Sequence, residues 1–187
     1  QILAEHRPLE GRPELTAAAF SVSEPAVAFG FADGTVQPAE IDFSTNFLPR
    51  EEIGETLEEV AADETVPFRE GVVTRTPEGQ LRLLELEVEL AEVVESVADS
   101  PILRIDQVRR STGPMFAVLH EDGTLAVNSV RRRKNLMTGA VTLKVSRAEL
   151  PRIEHGREQP NHLLLNGTGD SLFLVGTDGH MVRHDIR

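Results

Sequence analysis

The chain has 187 residues, 40% of them hydrophobic, with eight Phe, no Trp, no Tyr and no Cys, which excludes thiol catalysis, thiolate metal sites and disulfides. Its net charge of −12 is concentrated: residues 51–100 carry thirteen Glu and two Asp against three Arg, and the rest of the chain balances at sixteen of each sign. Such an acidic field repels nucleic-acid phosphates and anionic lipid headgroups, and no uncharged apolar run approaches the roughly 18 residues of a membrane span.

The chain opens on Gln1-Ile2-Leu3-Ala4-Glu5-His6-Arg7, without an initiator Met or a secretory lead, and closes inside a strand pattern; both ends read as cut from a longer protein. Strands are predicted at Ala17–Phe20, Ala26–Phe31 and Thr35–Ile41, the last two joined by Asp33-Gly34. Asp-Gly between apolar runs signals a hairpin, because Gly supplies the positive φ of the tight turn without strain. Ile53, Leu57 and Val60 stand at i, i+4 and i+7, which fits a short amphipathic helical turn behind Pro49 or, equally, a solvated acidic connector. Leu84-Glu85-Leu86-Glu87-Val88-Glu89-Leu90 alternates strictly and predicts a strand with its leucine face on a core and three Glu toward water. Pro101–Ile105 opens a third group, which crosses Glu121-Asp122-Gly123 and continues to Val130. Arg131–Ala140 then reads as an inserted loop before a strand at Val141–Val145. The last group holds strands at His162–Leu165, Ser171–Val175 and His180–Ile186, with turns at Asn166–Asp170 and Thr177-Asp178-Gly179.

One phrase recurs through these groups: an apolar run, an acidic-Gly turn, an alternating strand. The acidic turn residues are Asp33, Glu78, Asp122 and Asp178, at steps of 45, 44 and 56. A period of roughly 40–45 residues built on such hairpins is the mark of a WD40-type propeller blade. The expectation is an all-β chain: a partial or small β-propeller of about four WD40-like blades (residues 15–48, 66–98, 101–146 and 161–187) in one domain spanning 1–187. Each blade shelters its apolar faces against neighbours, so an open arc predicts pairing of two copies through its ends.

Candidate chemistry is sparse. No nucleophile elbow, phosphate-binding Lys loop or dinucleotide fingerprint is present, and Gly167-Thr168-Gly169 lacks a following Lys and joins two strands, as a hairpin turn does. Asn166-Gly167-Thr168 matches the glycosylation sequon, yet Asn-Gly is also what a tight turn wants. His180 and His184 are spaced as a helical metal pair, but on a strand they stand roughly 13 Å apart. His120 and His162 are single histidines, and Glu85, Glu87 and Glu89 would need partners from elsewhere to hold a cation. Asp33, Asp122 and Asp178 are explained by turn chemistry. The expectation is therefore no catalytic residue, no cofactor and no metal. Arg131-Arg132-Arg133-Lys134 is the candidate partner contact, either a solvated loop or a docking point for an acidic surface or lipid phosphates.

Ala32-Asp33-Gly34-Thr35-Val36 through Ile41-Asp42-Phe43-Ser44-Thr45-Asn46-Phe47-Leu48, and Phe116–Leu125 followed by Asn135-Leu136-Met137-Thr138-Gly139-Ala140, resemble the large extracytoplasmic insertion of some bacterial phosphate ABC transporter permeases. In that group a WD40-like propeller segment lies between a first transmembrane helix and the permease core. The resemblance implies a non-catalytic domain on the periplasmic side of the inner membrane. Its partners would be other transporter subunits, including the periplasmic phosphate-binding protein. Missing Trp-Asp pairs mark the blades as distant relatives of the common repeat. The alternatives are a soluble WD40-like protein-interaction scaffold, which predicts further repeats beyond the ends, and a propeller enzyme with converging polar residues at its channel.

Overall fold

The computed structural model describes residues 9–21, 24–54, 57, 60–61, 64–69, 71–134, 137–139, 141–151 and 160–186. It is all-β. In chain order the strands are β1 (Leu15–Phe20), β2 (Ala26–Phe31), β3 (Thr35–Phe47), β4 (Thr65–Phe68), β5 (Gly71–Arg75), β6 (Leu81–Leu90) and β7 (Val94–Glu95). They continue as β8 (Ile102–Arg110), β9 (Gly113–His120), β10 (Leu125–Lys134), β11 (Val141–Leu150), β12 (His162–Leu165), β13 (Ser171–Val175) and β14 (Met181–Asp185). A 3-10 turn occupies Arg50–Glu52.

The four acidic-Gly turns close four hairpins, and three share one device. Asp33 Oδ1 accepts from the Thr35 amide at 3.0 Å, Asp122 Oδ1 from Thr124 at 2.8 Å, and Asp178 Oδ1 from His180 at 2.9 Å. Each carboxylate thus replaces a backbone acceptor two residues on, the habit that suits Asp to turns. At the fourth turn Glu78 is too long for this, and the Thr76 hydroxyl accepts from the Gln80 amide instead, at 3.3 Å.

Two compact units result, Gly11–Glu40 with Leu90–Arg187, and Gln1–Glu10 with Ile41–Glu89. The larger contains three antiparallel sheets. In the first, β1 pairs β2 and β2 pairs β3, whose Thr35 and Val36 also pair Glu95 and Val94 of β7. The second is the meander β8-β9-β10-β11, and the third is β12-β13-β14. Phe116 and Val118 of β9, with Ala126 and Val130 of β10, pack into one cluster with Ala19, Ala28, Val36 and Val94 of the first sheet. Met115, Ala117 and Leu119, with Leu125 and Val127, pack into another with Leu163, Leu172 and Leu174 of the third. The second sheet is thereby covered on both faces, the arrangement of stacked propeller blades. Each fully buried Leu or Phe contributes roughly 1.5–3 kcal/mol relative to exposure. Close approach of the first two sheets rests on Gly30, where an added Cβ would lie 2.8 Å from Ile102 Cγ2.

The smaller unit orders the far half of β3 with β6, β5 and β4 around Leu48, Leu57, Val60, Val73, Leu81 and Leu83. Ile53 packs on the same cluster, so the i, i+4, i+7 triplet faces a core rather than solvent. Arg75 fixes this stretch, donating from Nε to Val60 O at 2.6 Å and from Nη2 to Leu57 O at 3.2 Å.

Two expectations change. The stretch 66–98 is not one repeat: β4, β5 and β6 belong to the smaller unit, while Val94 and Glu95 complete the edge of the first sheet. A hairpin turn fixes only its own two strands, and Val94 joins the first sheet because it and Val36 share that core. On β6, Leu84, Leu86, Val88 and Leu90 are only half-buried, whereas Leu81 and Leu83, on the opposite face, are buried. The strand's inward face is therefore set by its first residues, and the alternating run beyond them has incomplete cover.

Candidate functional site

The cationic run is strand, not loop. β10 and β11 stay in one unbroken register from Leu125↔Leu150 to Lys134↔Val141, carrying Arg131, Arg132, Arg133 and Lys134 into the ladder. Backbone hydrogen bonds are indifferent to side-chain charge, and the alternating partner Val141–Val145 extends the pairing. Pairing of β10 with β9 stops at Ser129↔Met115, so these four residues pair with β11 alone, as a two-stranded ribbon.

Arg131 stands opposite Lys144 and Arg133 opposite Thr142, which puts the three cations on one face. All three are exposed, and among the described residues none is held in an ion pair. Elsewhere in this unit arginines are engaged. Arg109 Nη1 lies 2.9 Å from Glu24 and 3.2 Å from Glu40, Arg147 Nη2 lies 3.4 Å from Glu95, and Arg104 donates to Asn161 O at 2.8 Å. Like charges directly across a ladder destabilise it, so an arriving anion relieves repulsion here as well as forming new bonds. The side chains of Arg132 and Lys134 lie outside the described residues.

A second feature had no signal in the sequence. Between the first and second sheets of the larger unit lies an apolar cleft of about 90 Å³, with Ala39, Val93, Val94, Pro114, Val130 and Val145 among its walls. Gln107 forms part of the wall, and its Nε2 donates to Ala19 O at 2.7 Å and Ala26 O at 3.1 Å, bracing the two sheets together. Arg109, Glu40 and Glu92 stand at the lining, and Glu24 joins through Arg109. The surround is thus three carboxylates against one guanidinium. Only the assembled sheets bring residues from seven strands to one opening, which is why no motif marks it.

Two polar groups tie the larger unit from within. His120, fully buried, holds the chain between β7 and β8: its Nδ1–H donates to Ser100 O at 2.6 Å, and its Nε2 accepts from Ser96 Oγ at 2.9 Å. Asn128 Nδ2 donates to Ser96 Oγ at 3.4 Å. The Ser96–His120 distance is that of a nucleophile and its base, but the imidazole is sealed in the core and its second nitrogen is held by a carbonyl, so the contact serves as a staple. Asp106 joins the second sheet to the third, accepting from the Leu165 amide at 2.6 Å through Oδ2. Burial pushes its carboxyl above the ordinary range, against the lowering effect of the Leu165 and Gln107 amides.

The remaining candidates sit apart. His180 precedes β14 and His184 lies within it, while Gly167 and Gly169 belong to the β12–β13 turn, where Asn166 Oδ1 accepts from the Asp170 and Ser171 amides at 3.0 Å. Among the described residues no three His, Asp or Glu side chains converge as metal ligands do.

No protein-family model matches the chain, and no characterised protein matches it in sequence. Among solved structures it is similar to the β-propeller domain of Cps50 (Swd1) from Myceliophteria thermophila, at 14% identity over 94% of this chain and 53% of that one, with a TM-score of 0.36. It is also similar to a protein from Lactobacillus plantarum, at 14% identity over 91% of this chain and 56% of that one, with a TM-score of 0.30. The chain spans about half the length of each of these structures.

Proposed function

We propose that this chain is a non-catalytic, protein-docking module on a propeller-like scaffold. The observation behind the reading is the β10–β11 ribbon, where Arg131, Arg133 and Lys144 share one exposed face without ion pairs among the described residues. Unpaired cations on a backbone-ordered ribbon favour an acidic protein surface, since side chains held by a ladder lose less freedom on binding. The chain's own net charge of −12 disfavours nucleic acid and anionic lipid as the partner.

The finer reading rests on the sequence resemblance: an extracytoplasmic domain of a bacterial phosphate ABC transporter permease, placed on the periplasmic side, docking a transporter subunit such as the phosphate-binding protein. The number of blades, and completion of the ring by a second copy, belong to this proposal as well. A soluble WD40-like interaction scaffold is the second reading, and it keeps the same docking face. Among the described residues no helix is long and apolar enough to cross a membrane, so the parent gene's hydropathy separates the two. The permease reading expects apolar spans flanking this segment; further repeats without spans would replace it. The docking role is tested by surface-immobilised chain against purified phosphate-binding protein. Salt-sensitive binding that falls at least about tenfold in R131E/R133E supports it, by the size of loss seen at interface anchors; equal binding by both chains, or none, overturns it.

A further inference from the structure

The ribbon and the apolar cleft complement each other, and a single chain carries both. The ribbon's turn presents Met137 at 95% exposure, on a stem whose described face carries Arg131, Arg133 and Lys144. The cleft is apolar inside and acidic outside: Ala39, Val93, Val94, Pro114 and Val145 line it, and Glu24, Glu40 and Glu92 outnumber Arg109 around it. Val130 and Val145 lie at the cleft, directly before the ribbon leaves the sheet. The described stem alone puts four residues, Val130 to Lys134, or roughly 13 Å of strand, between the cleft and the turn, and the turn cannot fold back into it without dismantling β10 and β11.

We infer that the cleft receives the ribbon turn of a second copy of this chain, with Met137 entering the apolar space and the stem cations facing the carboxylates around it. Met suits the role because its unbranched thioether adapts to irregular gaps. The net charge of −12 on each copy opposes association at very low salt, but at physiological ionic strength screening over about 8 Å leaves mainly the local attraction. A knob on one surface and a hole on another make the contact heterologous, so copies join head to tail, in a closed ring or an open chain. This rests on the docking reading of the ribbon and names one partner for it.

The test uses two variants that leave the core alone. Met137→Asp alters an exposed turn residue, and Val93→Trp fills the cleft from a position that is 41% exposed. Sedimentation velocity of the wild-type chain should show reversible, salt-sensitive self-association, weakened at least about tenfold in each variant, the loss expected when an interface anchor is removed. Each variant retains the half the other lacks, so an equimolar mixture should recover association as a one-to-one complex. Circular dichroism matching the wild type establishes that both variants fold. A wild-type chain that stays monomeric, variants that associate as it does, or a mixture that fails to recover the complex would each overturn the inference. Val93→Trp leaves the ribbon intact, so it should still bind the phosphate-binding protein if the docking reading holds. Loss of self-association with retained binding confirms both readings. If R131E/R133E leaves both measurements unchanged, the docking reading itself falls.

Discussion

The strands β9 and β6 teach opposite lessons about apolar pattern. β6 carries the cleaner alternation, Leu84 through Leu90, yet those apolar side chains are only half-buried. β9 reads Met115-Phe116-Ala117-Val118-Leu119 without alternation, and all five are buried. Alternation reports that one face can be covered; a continuous apolar run of strand length reports two covered faces. The difference ranks the two units: the second sheet of the larger one is held by sheets on both sides, whereas the smaller unit depends, among the described residues, on a cluster of six buried side chains that includes Val73.

Truncation tests that ranking most severely. Phe116→Ala should lower unfolding free energy by about 3–5 kcal/mol, as for other buried aromatics, whereas Leu86→Ala on β6 should cost about 1 kcal/mol, the ordinary size for a half-buried site. Urea titration of both variants reads the gap, and equal losses would erase the distinction between the strands. Overpacking is the second probe. Gly30→Val should cost about 1–3 kcal/mol by forcing Ile102 away, and the double variant with Ile102→Ala should lose less than the two single losses added together; strict additivity would mean the sheets do not meet there. His120→Ala removes the staple between β9 and the β7–β8 connection, taking the imidazole from the half-buried Ser100 carbonyl and leaving the Ser96 hydroxyl with Asn128 alone, for about 1–3 kcal/mol. Protease nicking near residues 96–100 should rise with it.

The smallest expected effect is on pH. Asp106 titrates higher in the folded chain than its unfolded 3.8, so the folded state binds the proton more tightly. Its contribution is full below 3.8 and is lost as pH rises through the folded value. Asp106→Asn should therefore flatten a decline in thermal midpoint that the wild type shows on going upward from about pH 4. A decline of the same slope in both chains would remove Asp106 as its source.

Much of this fold was written locally. Asp33-Gly34, Asp122-Gly123 and Asp178-Gly179 each specify a turn by a carboxylate two residues from the amide it caps, and the flanking strands follow. What the turns could not convey is which sheet a hairpin joins. The 66–98 stretch carries the same local phrase as the others, but Val94 completes the first sheet through a pairing with Val36, nearly sixty residues away. The basic run was visible as Arg131–Lys134, but its strand state depended on Val141–Val145 pairing across the turn. The apolar cleft was not legible, because Ala39, Val93, Pro114 and Val145 become neighbours only when the sheets stack.

Native-state hydrogen exchange tests the stacking most directly. Amides of Phe116–Leu119 in β9, paired on both sides and beneath two apolar clusters, should exchange only through global unfolding and be the slowest in the chain. Those of Glu87–Leu90 in β6 should exchange faster, by local opening. If β6 proves as protected as β9, or β9 exchanges through local fluctuations, a sheet enclosed by neighbours on both faces is not what holds this protein together.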